Sequence, residues 1–172
     1  MILKAFRDKS NKDYVNKILD KRTNTVNTNK VKTIAILLNK EEFDDAEAFT
    51  DYFKELELTS PKSTVIYFSE LEKEADTQWQ NFFTKKDFGW SGKIMNQTLM
   101  QFINEPFDVL VGYYNKNVLE MNQITAMSKA NLKVGVHSHD ERLFDIILNL
   151  SVIRFDVFKK EFKKYLNILN KL

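Results

Sequence analysis

Phe107-Asp108-Val109-Leu110-Val111-Gly112-Tyr113 and Leu132-Lys133-Val134-Gly135-Val136 frame the stretch from which the fold is read. Both are short runs of aliphatic and β-branched residues, the pattern of strands buried on both faces of a parallel sheet. Between them, Val118 to Ala130 reads as an amphipathic helix. Asn131 suits the left-handed position after a helix, and a two-residue exit is typical of a helix-to-strand connection. Strand, helix and strand of these lengths make a parallel βαβ unit.

Working outward, Val31 to Leu38 is a second continuous apolar strand, with Asn39 and Lys40 leaving its carboxyl end. Asp44 and Asp45 stand where negative charge favours a helix start, and Ala46, Phe49, Phe53 and Leu56 mark the apolar face of the helix that follows. Ser60-Pro61 breaks the chain, and Ser63 to Phe68 is the next strand. The first 30 residues suggest a helix in two pieces, one carrying Ile2, Leu3 and Phe6, the other Tyr14, Val15, Ile18 and Leu19; the Thr/Asn run Thr23 to Asn29 ends it. A further helix is expected around Leu71 to Phe83, and another from Ile94 to Ile103, closed by Pro106. Between these lies the aromatic tract of residues 82–92, read as an edge hairpin whose rings cover the sheet, ahead of base stacking or partner docking. Phe144, Ile146, Leu148 and Leu150 alternate as a fifth strand, which Asp145 marks as an edge that an antiparallel pairing would also suit. Phe155, Phe158, Phe162, Leu166 and Leu169 trace the core stripe of a final helix, and both terminal helices are expected to pack on the sheet.

Strands alternating with helices give an α/β fold, here a single three-layer Rossmann-like or flavodoxin-like domain over residues 1–172. It has about five mostly parallel strands in the order 2-1-3-4-5, helices on both faces, and residues 1–30 as an N-terminal helical extension packed on it. The net charge of +2 hides a segregation. Residues 1–33 carry nine Lys/Arg against three Asp/Glu, and residues 154–172 carry six against two. The lysines are read as solvating helix faces; attraction to nucleic acid or an acidic protein is the second reading. Cysteine is absent, which excludes disulfides, thiol nucleophiles and cysteine-ligated zinc and favours a reducing compartment. Met1-Ile2-Leu3 runs straight into Lys4 and Arg7 with no apolar h-region, and no run approaches a membrane span. The expectation is a cytoplasmic protein with no membrane association.

In an open α/β sheet, ligands collect at the carboxyl ends of the strands, at the point where strand order reverses. That places Asn39 and Lys40 on one side of the crevice and Tyr113, Tyr114, Asn115 and Lys116 on the other, with His137, Ser138, His139 and Asp140 next door. The tyrosine-asparagine edge, offering ring faces, an amide and a cation, ranks slightly ahead of the histidine tract. His137 and His139, at i and i+2 on an extended segment, share a side and are the candidates for a metal, with Asp140, Glu141 or Asp145 to complete a shell. Two histidines are too few for a secure site, so no metal is expected. No cofactor is expected either: Asn39-Lys40-Glu41-Glu42 has no glycine for a phosphate turn and adds two negative charges. No Gly-x-Ser-x-Gly elbow exists.

Phe107 to Gly112, Ala126 to Gly135, and Phe158, Phe162, Tyr165 and Leu166 resemble an uncharacterised small α/β family of Bacteroidetes, over nearly the whole chain. That resemblance implies the α/β fold and no particular activity. More distantly, the same strand-helix-strand is similar to the acceptor half of heptose-type glycosyltransferases, which use a second Rossmann domain for the nucleotide-sugar. The leading function class is a non-catalytic binding or regulatory module, taking a protein partner or a small ligand at the strand carboxyl edge. A small enzyme or nucleotide-binding domain, with His137 or His139 as proton carrier, is the alternative. RNA or ribosome association through the basic terminal helices ranks last.

Overall fold

The computed structural model describes residues 2–23, 26–56, 58, 62–71 and 81–172. Five α-helices, α1 (Ile2–Asp20), α2 (Ala46–Glu55), α3 (Gln97–Asn104), α4 (Leu119–Met127) and α5 (Phe155–Ile168), are present among these residues. They surround one sheet of β1 (Thr33–Asn39), β2 (Lys62–Phe68), β3 (Phe82–Phe83), β4 (Val109–Tyr113), β5 (Leu132–Gly135) and β6 (Ile146–Ile147). Every strand pair is parallel, in the order β3-β2-β1-β4-β5-β6. β2, β1, β4, β5 and β6 follow the expected order, and β3 is added at the β2 edge.

Period-two alternation sorts the central strands between two cores. Ile34, Ile36 and Leu38 of β1 and Val109, Val111 and Tyr113 of β4 face Phe49, Phe53, Phe158 and Phe162 of α2 and α5. Ala35 and Leu37 with Leu110 face the opposite way, toward α1, α3 and α4. Strands covered on both sides read as unbroken apolar runs, which is why the sequence signal is clear here.

Helix starts follow their caps. The Asp45 carboxylate accepts the Ala48 N–H at 3.0 Å, and Asn96 accepts from Leu99 at 3.0 Å. At the amino edge, Asp108 accepts from the Lys32 and Thr33 amides and the Thr33 hydroxyl, pinning β4 to β1. Both terminal helices pack: Val15 and Leu19 of α1 and Phe158, Phe162 and Leu166 of α5 are buried. Ile2, Leu3 and Phe6 stay exposed, so the first turns of α1 project beyond the core.

Several expectations need correction. The first helix is one piece, because buried Asn11 in its polar middle bonds across to the Gly89 carbonyl and the Gly92 amide, giving that stretch tertiary partners. The aromatic tract supplies a parallel edge strand, Phe82–Phe83, and then a turn closed by an antiparallel bridge between Phe88 and Ile94. The fifth expected strand shrinks to Ile146–Ile147 and is parallel, although Leu148 and Leu150 still donate to the carbonyls of Gly135 and Val136. The helix expected around Leu71 to Phe83 falls largely on residues 72–80, outside the described residues, as does the Ser60-Pro61 break. Asn131 is not left-handed: α4 ends at Ser128 in extended geometry, and the four-residue exit places the Asn131 amide on the Phe107 carbonyl.

Lys133 takes over at the end of α4. The residue is 4% exposed, and its ammonium donates to the carbonyls of Thr125 and Ala126 at 2.7 and 3.3 Å, covering acceptors that a helix end leaves open. Burial, reinforced by the Arg22 charge and opposed by Asp145, brings its pKa down to about 8. The folded chain therefore releases this proton before the unfolded chain does. Between about pH 8 and 10 the unfolded state binds more protons, so stability should rise with pH by a slope of up to about one proton. Urea denaturation across that range checks this: Lys133→Met should lose the rise, and an unchanged slope in the variant would refute it.

Candidate functional site

The crevice at the carboxyl ends of β1 and β4 is spanned by the chain itself. Glu42, in the loop after β1, places its carboxylate on the backbone amides of Asn115 and Lys116, with four N–O distances of 3.1–3.2 Å. A carboxylate thus sits where a doubly wound sheet would seat the anionic part of a ligand. Asn115 continues the seal, its amide nitrogen donating to the Leu150 carbonyl at 2.9 Å and its oxygen accepting from the Val152 amide at 2.9 Å. Glu42→Ala should cost about 1–2 kcal/mol, because hydrogen bonds to a charged group are lost from partly buried amides. Glu42→Gln should recover part of that loss, and chemical denaturation of the two variants gives the comparison.

The residues expected at this crevice are mostly engaged elsewhere. Tyr113 lies in the α2/α5 core, its ring 5.0 Å from both Phe49 and Phe158 and its hydroxyl donating to the Val152 carbonyl at 2.6 Å. Tyr114 is buried beneath α4 against the Thr125 hydroxyl at 3.1 Å. Burial pushes both phenols far above their ordinary range. Asn39 is fully buried, its oxygen accepting from the Glu41 amide. Lys40 leans the other way, over the Phe82 ring at 5.0 Å. The backbone of Lys116 holds Glu42 while its side chain is exposed. The edge ranked first in the sequence is therefore largely a structural seam.

The histidine tract meets open space. A cavity of about 490 Å³ lies at the carboxyl ends of β4 and β5, between α1, the start of α4 and the loop after β5. His139 and Asp140 line it with Asn117 and Asn122, while Lys9 and Lys12 close it from α1. Val15, Leu19, Leu119 and Leu143 give it an apolar side. His137 stands behind, its ring 4.9 Å from that of His139, edge to face. Ser138 closes a local turn, donating to the Asp140 carbonyl at 2.6 Å and accepting from the Asp140 amide.

Of the two carboxylates on the cavity wall, Asp140 is spoken for. Asp140 receives Arg142 through Nε at 2.9 Å and Nη2 at 2.6 Å, and that guanidinium holds its carboxyl below the usual range. Arg142 also reaches Asn16 and Asp20, which ties the loop to α1. Asp8 lies 3.7 Å from the Arg7 guanidinium. Asp145, one of the residues considered for a metal shell, is paired with Arg22 at 2.6 Å. Among the described residues, no group of three or more His, Cys, Asp or Glu side chains gathers as a metal ion would need.

The contribution of α1 went unread in the sequence. Asp8, Lys12 and Asn16 recur at i, i+4, i+8, a polar stripe beside the Val15 and Leu19 stripe; the basic first segment was visible, but not the wall it faces. A second cavity of about 660 Å³ lies at the amino edge, but its Arg22, Lys133, Asp108 and Asp145 are spent on internal bonds. No helix is long and apolar enough to cross a membrane among the described residues. No curated protein and no solved structure matches the chain. Residues 7–169 match the model of a family of unknown function, DUF6913, and the chain belongs to that family.

Proposed function

We propose that the protein is a non-catalytic binding module, acting as one Rossmann-like domain, whose small ligand sits in the cavity between α1, α4 and the His137–Asp140 loop. The observation that carries this reading is that three separated segments converge on one cavity of about 490 Å³ at the carboxyl ends of β4 and β5. That volume is in the range of small-ligand sites. Binding is favoured over catalysis because the Asp140 carboxylate beside His139 is held by Arg142, and no serine or cysteine lines the wall. A cytoplasmic location belongs to the same reading, supported by the cysteine-free composition.

A fragment screen read by amide chemical shifts tests it. Binders should move the resonances of Asn117, Asn122 and His139 together, and Leu143→Trp, which fills the cavity, should abolish those shifts. Fragments that map only to other surfaces, or no binders at all, would overturn the proposal.

A further inference from the structure

Resting on that reading, we infer the class of ligand: a small organic anion, a phosphate ester or carboxylate carried on a compact apolar group. The polar groups on the wall differ in what they still have to offer a ligand. The acceptors are largely consumed. Asp140 takes two nitrogens of Arg142. The Asn16 oxygen also accepts from Arg142 Nη2, at 3.0 Å, and the Asn117 oxygen takes the Asn122 amide at 2.7 Å. The Asn122 oxygen faces the Tyr114 hydroxyl at 3.4 Å. Asp8 is the exception: it lies 3.7 Å from the Arg7 guanidinium, close enough for an ion pair but with no hydrogen bond.

The donors are not consumed. Among the described residues, Lys9 and Lys12 form no internal ion pair or hydrogen bond, and the amide nitrogens of Asn16 and Asn117 have no partner. His139, exposed at the rim, adds an imidazole ring with nitrogens open to a ligand. A wall that keeps cations and N–H groups free while most of its acceptors are filled is complementary to a ligand rich in acceptor oxygens.

The apolar side sets the other half of the specificity. Val15 and Leu19 of α1 face Leu119 and Leu143 across the cavity, so an inorganic ion alone would leave that surface in contact with water. A compact hydrocarbon or ring attached to the anion would cover it. The usual anion seat next door, on the Asn115 and Lys116 amides, is filled by Glu42. The charge for an incoming anion is thus supplied from α1.

Titration of the full chain with phenyl phosphate, benzoate, inorganic phosphate and benzyl alcohol, read by amide shifts at Asn117, Asn122 and His139, is the test. Phenyl phosphate or benzoate should bind at least tenfold more tightly than benzyl alcohol and than inorganic phosphate. Lys9→Gln combined with Lys12→Gln should weaken the better anion by about tenfold, since each exposed charge contributes modestly. Lys4→Gln combined with Lys17→Gln removes the same charge from α1 outside the cavity and should leave affinity within about twofold. Equal weakening by both pairs would overturn the inference, reducing it to net charge. Benzyl alcohol binding at these residues as tightly as the anions would overturn the ligand class and leave the binding module standing. Absence of shifts with all four probes would overturn the ligand class, and the module would then stand or fall on the fragment screen.

Discussion

Phe158→Ala is expected to destabilise the protein by about 3–5 kcal/mol, the usual cost of truncating a fully buried phenylalanine. Phe158 has no exposed surface and stacks on Phe162 with ring centroids 5.3 Å apart. It also meets Tyr113 edge to face at 5.0 Å and Phe49 at 5.6 Å. These rings come from β4, α2 and α5, so the gap left by alanine borders three elements and cannot close by moving one. Phe155, on the same helix but only partly buried, should cost clearly less on truncation. Urea denaturation checks both: the midpoint should fall with an unchanged slope. A Phe158→Ala loss below about 1 kcal/mol would mean that α5 is not seated on the sheet as described.

Gly135→Ala should cost about 1–3 kcal/mol, at the upper end for a single added carbon, because the space it would occupy is already filled. Gly112 and Gly135 are register partners on β4 and β5, and the Phe144 ring lies across both. A Cβ on Gly135 would come within 2.6 Å of Phe144 Cδ2, and one on Gly112 within 2.6 Å of its Cζ. Phe144 is itself buried, so the ring has nowhere to retreat. The collision predicts its own remedy. In a Phe144→Leu background, Gly135→Ala should become nearly neutral, and the double-mutant cycle should return a large favourable coupling. Simple additivity would show that the ring does not rest on these glycines.

How far each element was legible follows from what holds it. The β1, β4 and β5 runs and the α5 stripe were readable because burial on two faces, or on one helical stripe, is written in the order of apolar residues. β3 is two residues long and is recognised only by its pairing with Tyr67 and Phe68. β6 was over-read because Phe144, which continues the alternation on paper, turns its ring onto Gly112 and Gly135. The ends of α4 depended on Lys133, a polar residue inside a strand whose amine reaches back to the Thr125 and Ala126 carbonyls. None of those contacts lies within a helical or strand repeat.

The candidate site divides the same way. His137, Ser138, His139 and Asp140 could be placed at the carboxyl edge because a loop that follows a parallel strand must emerge there. The acidic pair Glu41-Glu42 could be seen to oppose a phosphate loop, but not that Glu42 would itself take the amides of Asn115 and Lys116. Local periodicity and burial determined the sheet, its inner strand order and the edge where loops collect. Tertiary structure alone decided that the tyrosines are core, that Glu42 seals the crevice and that Lys9 and Lys12 face the histidine loop. Those outcomes depend on contacts between separate elements, as where Glu42 meets amides more than 70 positions away; the order of residues carries no local signal for such contacts, and only the packed arrangement of elements sets the partner.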